Sequence, residues 1–187
     1  MAASACRKCN NDFSLDEEYL ACLLECVISG STAPEQLHRA KIARILRGNS
    51  SLLARLQRAR TDDEKGSVWT VENDRVSRVV LKLARCHAAF ELNEPQLNDP
   101  SHLRIKPLPV MMADEREAFE RDDDAFCIWP EVGSRAMQRV LAAGTDSFAE
   151  EWVTVQEGNY RFRTSQSNEL TVKIVLREYL GCEIVWD

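Results

Sequence analysis

The sequence predicts an α+β fold, helical in its N-terminal half and ending in an antiparallel β meander. Two observations carry this expectation. Up to about residue 92 apolar side chains recur at helical spacing, as in Val76, Val79, Val80, Leu83, His87 and Phe90. From Glu150 onward the period becomes two, in "EWVTVQ", "NYRFRT", "LTVKIVLREYL" and "CEIVWD".

In chain order, a first helix is expected over residues 16–28, with Ser14 and Glu17 spaced as a capping box. "SGSTAPEQ" interrupts it. A second helix then covers 35–47 and stops at Gly48, and a third covers 51–60. Residues 67–71, "SVWTV", are a strand candidate, and Asn73 or Asp74 opens a long helix to about residue 92. "NEPQLNDPSH" reads as loop and "LRIKPLPV" as extended, followed by short helices over 112–121 and 133–142. The final strands are divided at "EGN", "QSNE" and Gly181. The expected organisation is a helical region over 1–95 and an α+β region over 96–187, together forming one compact domain.

Hydrophobic residues make up 44% and charged residues 29% of the 187 positions, the composition of an ordinary globular protein. No apolar run approaches the roughly 18 residues of a membrane span, and too few residues precede Cys6 for a signal peptide. The expected location is the cytoplasm, with no membrane partner. Seven cysteines without regular spacing fit free thiols rather than a disulfide framework. A net charge of −6 excludes a protein that coats nucleic acid over its whole surface, but it permits a local basic face.

The opening "ACRKCNNDFSLDEEY" places a CxxC pair, Cys6 and Cys9, directly before Asn10 and a helix. It resembles the second half of the zinc-knuckle HNH endonucleases, closest to a bacterial group with a late "ACRKCNN" segment. The resemblance covers about the first half of the chain. It implies a ββα-metal fold in which two CxxC pairs hold a structural zinc. It also implies a histidine as general base and a helix residue holding a catalytic Mg²⁺ or Mn²⁺ for hydrolysis of DNA. On these terms Cys6 and Cys9 correspond to the second zinc pair and Asn10 to the metal site. No cysteine precedes Cys6 and no histidine precedes His38. The first CxxC and the general base are therefore missing, no catalytic residue is assigned, and both metals are expected to be absent from this chain. The missing half is expected upstream of Met1. A non-catalytic nucleic-acid-binding regulator or protein-interaction module is the alternative.

Cys22 and Cys26, one turn apart beside Tyr19 and Leu23, read as core thiols rather than as a replacement zinc pair. A redox CxxC would need a preceding strand, which Cys6 lacks.

Residues 35–60 carry seven basic residues against Glu35 alone. The segment is therefore +6, which leaves −12 for the rest of the chain. Arg39, Lys41, Arg44 and Arg47 lie on the second expected helix, and Arg75, Arg78, Lys82 and Arg85 form a stripe on the long helix. Both sets are candidate phosphate contacts to DNA. The plainer readings are a solvated face, or pairing with the acidic stretch 114–124. His87 reads as a satisfied core residue, His102 has no matching partner, and Asp122, Asp123 and Asp124 read as solvated loop. Trp152, Tyr160, Phe162 and Trp186 are expected on the core face of the sheet. Arg161 and Arg163 alternate with them as a possible surface for a protein or nucleic-acid partner.

Overall fold

The protein is described here by a computed structural model. It covers residues 7–64, 66–121, 132–143, 152–166 and 169–187, and the side chains of these except 7–12, 139, 140 and 143. The chain is α+β, with helices concentrated toward the N-terminus and a five-stranded antiparallel sheet toward the C-terminus. It divides into two compact units, Met1–Val79 and Val80–Asp187. The sequence suggests one domain with a change of character after residue 95. The two units meet inside the long helix, whose last turn packs on the sheet through His87 and Phe162.

The first unit holds α1 (Arg7–Ser29), α2 (Ala40–Gly48), α3 (Ser50–Ala59), a hairpin of β1 (Arg60–Asp63) and β2 (Gly66–Trp69), and the start of α4 (Asn73–His87). Tyr19, Leu23, Cys22 and Cys26 on α1 are buried, as are Leu46 on α2, Leu56 on α3 and Val76 on α4. The Tyr19 hydroxyl accepts the backbone N–H of Glu72 at 3.0 Å, which satisfies the polar end of an otherwise apolar side chain. Three boundaries differ from expectation. α1 starts at Arg7, so Ser14 is inside the helix and is not its cap. α2 starts only at Ala40, because Ser31 Oγ accepts from the backbone N–H of Ala33 and donates to Gln36, holding this stretch as a turn. Residues 60–63 leave the helix and pair with β2, with Arg60 opposite Trp69.

The second unit holds the end of α4 and a five-residue π-helical turn, Ala88–Leu92, closed by Asn93 in the left-handed region at φ 63°. It continues with β3 (His102–Pro107), a 3₁₀ turn (Leu108–Val110), α5 (Ala113–Glu120) and α6 (Arg135–Ala143). Last come β4 (Val153–Gln156), β5 (Tyr160–Gln166), β6 (Leu170–Leu176) and β7 (Leu180–Trp186). The sheet order is β3-β7-β6-β5-β4, so the expected meander is present with β3 added beyond its last strand.

Side-chain alternation puts Phe162, Ile174 and Cys182 in one cross-strand row, with Thr164, Val172 and Ile184 in the next, and all six are buried. The opposite face buries Val175 against Leu108 and Phe119, with Met111 and Trp152 packed around them. A sheet covered on both faces explains the apolar run of β6, "LTVKIVL".

The turn from β6 to β7 is at Arg177–Tyr179, not at Gly181. Arg177 and Glu178 adopt φ of 59° and 47° without a glycine. Gly181 lies within β7, where an added Cβ would come within 2.9 Å of both Leu108 Cδ2 and Met111 Cε and 3.2 Å of Phe119 Cε1. Gly181→Val is therefore expected to overpack this face and cost about 1–3 kcal/mol. Chemical denaturation checks this, and a loss below about 0.5 kcal/mol would show that the three side chains yield freely. Among the described residues, no helix is long and apolar enough to cross a membrane.

Candidate functional site

Two carboxylates of α1 position the basic helices. Glu25, fully buried, accepts the backbone N–H of Arg39 at 2.8 Å, which places a carboxyl oxygen at the N-terminus of α2. Glu18 accepts from Asn49 Nδ2 at 3.2 Å. Asn49 is the single residue between α2 and α3, and its Oδ1 caps α3 by accepting the N–H of Leu52 at 3.1 Å. With Ile42, Ala43 and Leu46 buried, the opposite side of α2 carries Lys41, Arg44 and Arg47, all exposed. None of the three pairs with a carboxylate among the described residues. Arg58 on α3 is also exposed and gives its Nε–H to the carbonyl of Ala54 on its own helix.

The stripe on α4 is different. Arg78 Nε meets Asp16 at 2.7 Å, and Arg75 meets Asp16 at 3.4 Å and Glu72 at 3.0 Å while lying over the Tyr19 ring. Arg85 gives hydrogen bonds to the Asn98 carbonyl at 2.8 Å and Asp99 at 3.4 Å. Lys82 is half-buried and also engaged. Arg39 is half-buried. Of the eight sequence candidates, Lys41, Arg44 and Arg47 on α2 are exposed and pair with no carboxylate among the described residues, Arg75, Arg78 and Arg85 on α4 form ion pairs, and Arg39 and Lys82 are half-buried. The acids that pair with Arg75, Arg78 and Arg85 are Asp16, Glu72 and Asp99. Within the described part of the stretch 114–124, Glu115 pairs with Arg104 and Lys106, and Glu120 with Arg161.

Arg161 is no surface residue. Its guanidinium forms two 2.9 Å hydrogen bonds to Glu120, binds Glu178 at 2.9 Å, and lies 4.3 Å from the centre of the Trp152 ring. The Arg161 hydrogen bonds hold the Glu120 carboxyl below its ordinary range, although burial opposes the shift. Of the two alternating arginines, Arg161 is thus engaged by Glu120 and Glu178.

Of the knuckle residues, Cys6 lies outside the described residues. Cys9 and Asn10 fall on the first turn of α1, and their side chains are not described. Cys22 and Cys26 are completely buried, and burial pushes their thiols up to about 12 and about 11. Zinc binding needs thiolates, so this pair does not suit the metal that the HNH resemblance implies. Among the described residues no group of three or more His, Cys, Asp or Glu could hold a metal ion. Brief alkylation of the native protein is expected to label Cys86, which is exposed, and to spare Cys22, Cys26 and Cys182 until denaturant is added. Peptide mass mapping checks this, and native labelling of Cys22 would show that the α1 core opens readily.

Sequence reasoning missed a pocket in the second unit. An open pocket of about 570 Å³ is lined by His87, Phe90, Glu91, Arg135, Gln138, Ala142, Val153, Val155 and Phe162, of which Phe90, Arg135, Gln138, Ala142 and Val155 are exposed. The π-helical turn supplies Phe90 and Glu91, and π turns are frequent at functional sites. The His87 ring stacks on Phe162 at 3.7 Å between centres, and its Nε2 makes a short hydrogen bond with the Tyr160 hydroxyl. Burial pushes the imidazole down to about 4, so it is neutral at pH 7, and raises the Tyr160 phenol above its ordinary range. His87 is thus satisfied on one nitrogen, as a core histidine should be, while also facing a cavity. Only the alternation of Tyr160 and Phe162 hinted at this in the sequence.

No family model matches the chain, and no match is found among curated proteins or solved structures.

Proposed function

We propose that the chain is an HNH-endonuclease-like protein that binds DNA through α2 and lacks the residues for hydrolysis. The observation that carries the binding reading is the exposed trio Lys41, Arg44 and Arg47, which have no carboxylate partner among the described residues and lie within a +6 segment of an acidic protein. Charge neutralisation is expected where ion pairs are the purpose, as along α4. Its absence on α2 suits a face kept for phosphates. The relation to HNH nucleases rests on the "ACRKCNN" resemblance alone. His87 offers no substitute general base, because a buried imidazole held down to about 4 is a weak proton acceptor.

Fluorescence anisotropy with a short DNA duplex tests the proposal. Three phosphate contacts give a log–log salt slope near −2.7, so affinity should fall about 40-fold between 50 and 200 mM salt. Reversing Lys41, Arg44 and Arg47 to Glu should abolish binding, while Arg116→Glu on α5 should leave it unchanged. Plasmid incubated with the bound protein and Mg²⁺ or Mn²⁺ should remain unnicked. Salt-independent affinity would refute the phosphate face, and metal-dependent nicking would refute the loss of hydrolysis.

A further inference from the structure

The cavity beside the π-helical turn holds two groups suited to an anion within walls that are mostly apolar. Phe90, Phe162, Val153, Val155 and Ala142 supply the apolar surface, and 570 Å³ is within the usual range for a small organic ligand. Arg135 lies over the Phe90 ring, 5.0 Å from its centre, and pairs with no carboxylate among the described residues. It occupies the first turn of the nine-residue α6, whose N-terminus is capped by Ser134 Oγ accepting the N–H of Met137 at 3.0 Å. The face of α6 that lines the pocket carries Arg135, Gln138 and Ala142, so the guanidinium is its cationic group.

The second group is His87. The Tyr160 phenol stays protonated, and among the described residues its hydrogen-bond partner is His87. With a neutral ring, the satisfying arrangement has the phenol O–H donating to Nε2, which leaves the imidazole proton on Nδ1. No acceptor for that Nδ1–H is found among the described residues. A neutral donor and a cation in one apolar cavity match a singly charged oxyanion on an apolar body. Glu91 also lines the pocket, buried and engaged in an interaction of its own.

We infer that this cavity binds a small monocarboxylate with an aromatic body, its carboxylate held by Arg135 and by the His87 Nδ1–H, and its ring between Phe90, Phe162 and the β4 valines. This goes beyond the DNA-binding reading and shares no residue with it.

Isothermal titration of the full-length chain with benzoate, phenylacetate and indole-3-acetate, beside benzamide and inorganic phosphate, tests the inference. At least one carboxylate should bind saturably, at least about tenfold more tightly than benzamide, the uncharged twin of benzoate, or phosphate. Arg135→Gln should erase the preference for acid over amide. Val155→Trp should weaken every aromatic probe by filling the cavity. Both positions are exposed, so the variants should keep the wild-type circular dichroism spectrum. Three results would each overturn the inference: no carboxylate bound at millimolar concentration, benzamide or phosphate bound as tightly as the acids, or an acid preference that survives Arg135→Gln.

Discussion

Arg161→Leu is expected to lower the stability of the second unit by about 2–3 kcal/mol, one of the two largest effects foreseen. Leucine keeps much of the stem that covers Trp152 but removes the charge. Glu120 and Glu178 would then face each other without the guanidinium that joins them, and Glu120 would keep a partly buried carboxylate with no strong donor. The figure is set below that for a fully buried pair because both carboxylates retain contact with water, the side chains being 30% and 45% exposed. Urea denaturation followed by tryptophan fluorescence measures it, with Trp152 as a local reporter. Glu120→Gln, which can still accept from Arg161, should cost less than half as much. A loss under 0.5 kcal/mol in Arg161→Leu would mean that the network is ornamental.

The second large effect is a loss of stability in mild acid. His87 is held down to about 4 in the folded protein, against about 6.5 for a free imidazole. Between these values the unfolded chain binds a proton that the folded chain refuses, so stability rises with pH across the window. The His87 contribution is complete above pH 6.5 and is lost progressively as pH falls to 4, by up to about 3 kcal/mol. The carboxylates of Glu115 and Glu120 are held below their ordinary range by cationic neighbours and add their loss only at lower pH. Unfolding curves at pH 7.5, 6 and 4.5 reveal the slope. His87→Phe, which keeps the stack on Phe162, should remove most of it. An identical slope in that variant would assign the acid sensitivity elsewhere.

How far the sequence spoke depends on how local each interaction is. The period-two runs after residue 150 announced the sheet, because alternation is written into each strand. The partner of β3 was not legible: His102 sits opposite Val185, and nothing near either residue records the pairing. The β6–β7 turn was misplaced because Gly181 looked like the breaker, whereas Arg177 and Glu178 take the left-handed conformation. Glu178 reaches Arg161 from that turn, a contact that contributes to holding it. The arginines of α2 and α4 looked alike in sequence, and only the burial of Asp16 against α4 distinguishes them. The cavity was invisible for the same reason, since His87, Arg135, Val153 and Phe162 come from four separate elements.

The placement of β3 has a consequence for the order in which the second unit assembles. β4 to β7 are joined by tight hairpins, whose pairings form on the microsecond scale. β3 must wait for β7, the strand of this sheet that comes latest in sequence, and its docking closes a loop containing the sheet's other strands. Such non-local closure slows folding far more than it weakens the final state. During synthesis, β3 emerges long before its partner exists. Its apolar Leu103 and Ile105 then remain without their β7 neighbours until β7 has been made. Lengthening the connection between β3 and β4 would cost little at equilibrium, about 0.6 kcal/mol for each doubling. Deleting the last strand would instead leave β3 with no neighbour in the sheet.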